Sequence, residues 1–284
     1  MKINYDFYKG VDQYTDGDIE KEIVEYTQEY KEEDLDKVFL KDIRWPVFYH
    51  LASLRKNILN WYPFKKDADI LEIGAGMGAL TRMLCEKGKS VTSVELSKQR
   101  ASAISNRCKD KENLEIIVGN FNDIKFEKKF DYITLIGVLE YAPIYTNTED
   151  PFYDFLAYIK TLLKPNGKLL IAIENQFGIK YFSGANEDHL GKKFEGILGY
   201  KSNKKIRTFG KNELVKILKN VGLEYYKFYY PMPDYKMPIN IFSDEYIPTK
   251  EMKNYITYTS NNETIYFDFE NSVKKIYLSI YILE

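Results

Sequence analysis

Asp69-Ile70-Leu71-Glu72-Ile73-Gly74-Ala75-Gly76-Met77-Gly78-Ala79-Leu80 reads as a short apolar strand that runs into a glycine-rich turn and then a helix. Such a turn brings backbone N–H groups and the positive end of a helix dipole to one point, which suits a carboxylate or a phosphate. Glycine is needed there because a Cβ would block a ligand's approach to the backbone and because the turn uses positive φ. About twenty residues on, the strand Val91-Thr92-Ser93-Val94 ends in Glu95, an acid placed to accept from both ribose hydroxyls of a nucleoside. Loop and acid together define a site for an adenosine-type cofactor.

Outward from the loop, strand and helix alternate. Helices are expected from Ala79 to about Lys87, closed by Gly88, and from Lys98 to about Cys108 with Ser97 as N-cap. Further strands are expected at Leu114 to Val118, Tyr132 to Ile136 and Lys168 to Ile173, the last launched by the turn Lys164-Pro165-Asn166-Gly167 after a helix that begins at Pro151. This alternation means a parallel sheet with helices on both faces. The rhythm breaks from Glu174 to about Arg207, a stretch too long for an ordinary connection and therefore read as an inserted lid. A helix from Gly210 to Val221-Gly222 and a strand from Leu223 to Tyr230 follow. After them come the proline-punctuated segment 231–238 and two strand candidates, Thr264 to Phe269 and Lys275 to Ile282, which make a β-rich tail. Upstream, residues 1–17 read as an extended lead-in, with helices from Asp18 to about Val38 and from Val47 to about Asn60. The expected organisation is a helical N-terminal cap over 1–64 and a main domain over 65–284 with its insertion at about 174–207.

Composition narrows the partners. The 284 residues are 44% hydrophobic and 29% charged, which is globular, and 41 basic against 42 acidic side chains give no general attraction to a polyanion such as nucleic acid. Cys85 and Cys108 stand apart from any CxxC pair and are read as reduced structural thiols. The first residues carry no apolar leader region, and no apolar run reaches the ~18 residues of a membrane span, so a cytoplasmic protein is expected.

Gly74, Gly76 and Ala79 also satisfy the dinucleotide pattern G-x-G-x-x-A, a weak signal taken alone. Five segments in order point elsewhere. Residues 71–78, Val94-Glu95-Leu96-Ser97, Gly119-Asn120-Phe121, Ile136-Gly137-Val138-Leu139-Glu140-Tyr141 and Leu162-Leu163-Lys164-Pro165-Asn166-Gly167-Lys168-Leu169 together resemble the class I S-adenosylmethionine-dependent methyltransferases over about residues 65–230. The fold expected is a doubly wound, Rossmann-like, mostly parallel seven-stranded sheet with a helical N-terminal cap and an inserted lid. The resemblance implies that Gly74, Ala75, Gly76 and Gly78 lie against the methionine part of S-adenosyl-L-methionine, that Glu72 meets its amino group, that Glu95 binds the ribose and that Leu96 packs on the adenine. Asn120 stands where many members have Asp to accept from the adenine amino group, and Phe121 would flank the ring. Gly137 lies where the family's fourth strand opens toward the sulfonium. The block Glu174-Asn175-Gln176-Phe177-Gly178-Ile179-Lys180-Tyr181, with Asn186-Glu187-Asp188-His189 and Arg207-Thr208-Phe209, is similar to methyltransferases that accompany glycosyltransferases in bacterial cell-surface polysaccharide gene clusters.

Methyl transfer from a sulfonium is an in-line displacement, so positioning can supply most of the catalysis, with a general base helping when the nucleophile is a hydroxyl. His189, with Glu187 and Asp188 beside it, is the candidate base or acceptor ligand; a polar loop with no catalytic part is the alternative. Glu174 and Asn175 sit at the carboxyl end of a strand, where open α/β sheets place their ligands. Tyr141, Glu187 and His50 are candidate acceptor contacts, with packing or capping roles as their alternatives. No His/Cys cluster of metal-ligand spacing is present and no metal is expected, which leaves only carboxylates for metal-assisted chemistry. The Asn/Asp-Pro-Pro-Tyr/Phe sequence of amino-type base methylation is replaced by Gly137-Val138-Leu139-Glu140-Tyr141. The expected acceptor is a polar small molecule or glycan, methylated at oxygen, with no nucleic acid involved. A peptide or protein side chain is the rival acceptor, and a non-catalytic S-adenosylmethionine-binding partner protein the rival class.

Overall fold

The computed structural model describes residues 1–201, 205–247 and 280–283, and of 280–283 the backbone only. They fall into two compact units, one of Met1–Leu135 with Thr161–Leu169 and one of Ile136–Lys160 with Leu170–Glu284.

The first unit is built on parallel strands: β1 Lys2–Phe7, β2 Asp69–Ile73, β3 Ser90–Glu95, β4 Leu114–Gly119 and β5 Phe130–Ile136. Their lateral order is β1-β4-β3-β2-β5, with Ile70 opposite both Val91 and Tyr132. Ile70, Leu71, Ile116, Ile133 and Leu135 are fully buried, as expected of parallel strands covered on both faces. The lead-in expected at residues 1–17 begins instead as β1, paired in parallel with β4 through Ile3↔Ile116. Polar residues alternate with Ile3, Tyr5 and Phe7 along it, a pattern an edge strand accepts.

The two long helices expected upstream are each broken. The first is Ile19–Glu29 followed by a 3₁₀ segment at Glu32–Leu40, because Tyr30 turns extended at φ −102°, ψ 144°. The turn lets Leu35 and Val38 join Ile23, Val47 and Leu51 in one cluster with Met77 of the glycine loop. The second breaks at Ala52, also extended, into Trp45–Leu51 and a short helical piece from Ser53. There Asp36 accepts from the Ser53 N–H at 3.0 Å and its hydroxyl at 2.6 Å. Burial of the apolar face thus overrides helical continuity.

The second unit contains β6 Leu163–Glu174 from Leu170 onward, β7 Phe228–Met232, β8 Asn240–Ser243 and β9 Ile280–Leu283. They run antiparallel in the order β6-β9-β7-β8. Helix Lys211–Val221 buries Leu214, Leu218 and Val221 and ends at Gly222 in the left-handed region. The expected strand at 223–230 begins only at Phe228, and of the tail candidates Ile280–Leu283 is a strand while Thr264–Phe269 lies outside the described residues. The sheet is mostly parallel with flanking helices, Rossmann-like; β1 and β8 take the described strands to nine, past the seven expected. No helix among the described residues is long and apolar enough to cross a membrane.

Candidate active site

The glycine loop follows β2 directly. Gly74, Gly76 and Gly78 all have positive φ, at 73°, 56° and 78°. A Cβ at Gly78 would lie 3.2 Å from the backbone of Ile104, so this glycine lets loop and helix Lys98–Arg107 pack, whereas a Cβ at Gly76 would project into open space. That open cradle, the backbone turned toward it and the acid beside it fit the carboxylate and ribose of an adenosylmethionine. Glu95, 5% exposed, accepts from the N–H groups of Gly76 at 2.7 Å and Ser97 at 3.0 Å, so the loop and this acid are held as one piece. Burial raises the Glu95 carboxyl and the charge of Arg100 opposes the rise. Leu96 is half-buried, as a surface for a flat ring requires. Asn120 caps the short turn at Phe121–Asp123, its side-chain oxygen accepting from the Asn122 N–H at 3.0 Å, and Phe121 is buried against Phe126. Glu72 accepts from the hydroxyls of Thr81 at 2.7 Å and Ser93 at 2.6 Å, and burial pushes its carboxyl up to about 7 against the pull of those two bonds.

The N-terminal segment closes around this loop. Asp12 caps the helix after Glu95, accepting from Ser97 Oγ at 2.8 Å and the Lys98 N–H at 2.6 Å. Arg100 is bracketed by Glu20 and Asp16, each at 2.7 Å. His50, a candidate acceptor contact by sequence, is placed in this network: it is buried, its Nε2 lies 3.2 Å from Asp16, and burial lowers its pKa. A neighbouring pair, Arg107 with Glu32 at 2.7 Å, also donates to the carbonyls of His50 and Met77. His50 thus sits within the N-terminal network.

The second unit brings together most of the catalytic and acceptor candidates. His189 Nδ1 lies 2.9 Å from Glu187, while its Nε2 faces Glu140 at 3.4 Å and Glu174 at 3.8 Å. Tyr141 sets its ring edge against the imidazole, 5.5 Å between centroids. Glu174 is also paired to Lys236, which reaches Asp188 at 3.1 Å; Lys180 meets Asp188 at 2.7 Å. Glu140 and Glu174 are each 1% exposed, and Oε2 of each accepts no hydrogen bond from the described residues. Glu187 is fixed more fully, taking the N–H groups of His189 and Leu190 and the Tyr200 hydroxyl.

These charges set the protonation states. Burial works against a charged His189, yet Glu174, Glu140 and Glu187 overcome it and push the imidazole up to about 11. In this setting the charged imidazole is favoured as a donor to its carboxylates, which suits the acceptor-ligand alternative for His189 better than the base. Burial raises Glu140, with His189 opposing; burial works the same way on Glu174, but Lys236 and His189 hold that carboxyl below its ordinary value. Asn175 is buried and occupied in a turn, its side chain accepting from the Phe177 N–H at 3.0 Å. Gly137, at φ 68°, lies under Tyr235, whose hydroxyl would be 2.7 Å from a Cβ there. Sequence reading missed Glu140 and Lys236. Glu140 stands inside a quoted motif between Gly137 and Tyr141, a signal available but unused; Lys236 carries no local signal.

Residues 71–171 match the protein family described as Methyltransferase domain. That span, about a third of the chain, is thus similar to a methyltransferase domain, a family whose cofactor is S-adenosylmethionine. A Staphylococcus carnosus protein named as an uncharacterized methyltransferase is 37% identical over 114 residues, 40% of this chain and 51% of its own length. A demethylmenaquinone methyltransferase of Tropheryma whipplei is 28% identical over 155 residues, 54% of this chain and 58% of its own. The chain thus spans about half the length of the curated relatives it matches. Among solved structures, a chain of the complex formed by the Haloferax volcanii Trm112 methyltransferase activator superposes with a TM-score of 0.52. The match has 13% identity over 92% of this chain and 96% of that one, a likeness of fold.

Proposed function

We propose that the chain transfers a methyl group from S-adenosylmethionine to a hydroxyl oxygen of a polar small molecule or glycan. The observation that carries the reading is the unit of glycine loop and Glu95, in which an open cradle of backbone and a buried ribose acid are bonded together. S-adenosylmethionine supplies an electrophilic methyl group on a sulfonium. Gly74, Ala75, Gly76 and Gly78 would hold its methionine part, Glu72 its amino group, Glu95 its ribose, and Leu96, Asn120 and Phe121 its adenine, with Gly137 also assigned to the cofactor. With the cofactor bound, an acceptor hydroxyl would displace its sulfur at the methyl carbon, and the carboxylates around His189 would take the hydroxyl proton. Glu174 and His189 hold the acceptor, Glu187 orients the imidazole, and Tyr141 and Asn175 shape the pocket.

The polar acceptor is supported by the charge density of the Glu140, Glu174, His189 cluster and by the similarity of residues 174–181 to methyltransferases that accompany glycosyltransferases in polysaccharide gene clusters. The two buried free thiols suit a cytoplasmic setting. The test is a screen with methyl-labelled cofactor against sugars, nucleotide sugars and peptides. Label in a sugar hydroxyl is the expected result. Label in peptides alone would move the acceptor to a protein side chain, and saturable cofactor binding with no transfer to any acceptor would point to a non-catalytic binding protein. His189→Ala should then lower turnover far more than cofactor affinity; equal loss of both would remove it from the chemistry.

A further inference from the structure

Among the described residues, Glu140, Glu174 and His189 each offer one ligand atom, and these atoms lie within 4.8 Å of one another. A cation with bonds of about 2.1 Å separates adjacent ligand atoms by about 3.0 Å in octahedral geometry and about 3.4 Å in tetrahedral geometry. His189 Nε2 stands 3.4 Å from Glu140 and 3.8 Å from Glu174, so its two contacts need a few tenths of an ångström of closure at most, and the carboxylate pair, within 4.8 Å, about 1–2 Å by side-chain rotation. The oxygens are also poorly served as they stand. Oε2 of Glu140 and Oε2 of Glu174 accept no hydrogen bond from the described residues, although both side chains are almost wholly buried. A buried carboxylate oxygen left this way costs several kcal/mol relative to one with a partner.

The imidazole is prepared from behind. Glu187 lies 2.9 Å from Nδ1 and is itself pinned by the backbone N–H groups of His189 and Leu190. A carboxylate fixing one ring nitrogen so that the other is presented to an ion is the usual support of a metal-binding histidine. Charge points the same way: Glu140, Glu174, Glu187 and Asp188 meet Lys180, His189 and Lys236, with Asp234 adding a further negative charge beside Lys236.

We propose that Glu140, Glu174 and His189 bind one divalent cation, with Glu187 as the positioning residue behind the imidazole. The mixed oxygen and imidazole set suits Mn²⁺ or Zn²⁺. Binding exchanges the Nε2 proton for the ion. The site shares Glu174 and His189 with the acceptor pocket proposed above; cation binding is read without S-adenosylmethionine, and only its use rests on that reading, where a coordinated hydroxyl would be acidified for attack.

The test is calorimetric titration of the whole chain with Mn²⁺, Zn²⁺ and Mg²⁺, alongside electron spin resonance of bound Mn²⁺. The expected result is one saturable site with nitrogen coupling from a histidine. Glu140→Gln, Glu174→Gln and His189→Gln should each weaken it by more than about 100-fold, and Glu187→Gln by about 10- to 100-fold. The spin-resonance signature needs no variant, so it decides the matter if a variant fails to fold. Absence of saturable binding for all of these ions overturns the proposal, as does binding that survives Glu174→Gln and His189→Gln unchanged. Saturation by methylammonium without any response to the ions also overturns it, and assigns the two acids to an acceptor's ammonium group.

Discussion

The two units handle buried charge with different partners. In the first, Glu20 and Glu32 are each bonded to an arginine, and Glu95 has both oxygens taken by backbone N–H groups. In the second, Glu140 and Glu174 share one histidine, Glu174 also meets Lys236, and Oε2 of each accepts no hydrogen bond from the described residues, as is true of Glu20 Oε2 in the first. Paired charge fixes a scaffold, and the first unit spends its ion pairs holding the N-terminal segment against the loop. Two buried carboxylates that share one imidazole, each with an oxygen lacking a hydrogen bond, carry a cost that ligand binding can relieve. The first unit therefore reads as a rigid cofactor cradle, and the second as a place that awaits a further charged or polar group.

That contrast breaks most visibly at Arg100. Arg100→Met leaves Glu20 buried without its partner and Asp16 short of one, and should destabilise the fold by about 3–5 kcal/mol in denaturant melts. Loss of less than about 1 kcal/mol would mean the network is not what holds the N-terminal segment. A smaller effect is expected at Glu72, an exception in the first unit because its partners are neutral hydroxyls. Its carboxyl, raised from 4.5 to about 7 by burial, is stable while protonated. Its contribution is present below pH 4.5 and fades as pH rises toward 7, at about 1.4 kcal/mol per unit between those limits. Glu72→Gln should then raise the melting temperature at pH 8 and leave it unchanged near pH 4; a gain at both would mean the effect is packing and not charge. The smallest effect on stability is expected at Gly76→Ala. An L-residue at φ 56° costs about 1–2 kcal/mol, while the methyl group fills the open cradle. Melting should fall slightly and S-adenosylmethionine binding should fall far more. Unchanged binding would place the cofactor elsewhere.

The first unit's site was legible because its elements are local. A strand, three glycines and an acid at the end of the next strand lie within residues 70–95, and the physics of a glycine turn depends on neighbours in sequence. The breaks at Tyr30 and Ala52 were not legible, since they serve burial of Leu35, Val38 and Leu51 against residues far along the chain. The second unit's cluster was half legible: His189, Glu187 and Glu174 stood out as rare or well-placed residues, but their union with Glu140 and Lys236 is tertiary. The upward push on the His189 imidazole follows only from that union, because Glu174 and Glu140 come from distant parts of the chain.

The account rests on the cofactor belonging to the first unit's loop, and calorimetric titration of S-adenosylmethionine into the wild-type chain, Glu95→Ala and Glu174→Gln addresses that most directly. The expected result is one saturable site in the wild type, a loss of about 2 kcal/mol or more in Glu95→Ala, and near-wild-type affinity in Glu174→Gln. No saturable heat in the wild type, or equal loss in both variants, would contradict it.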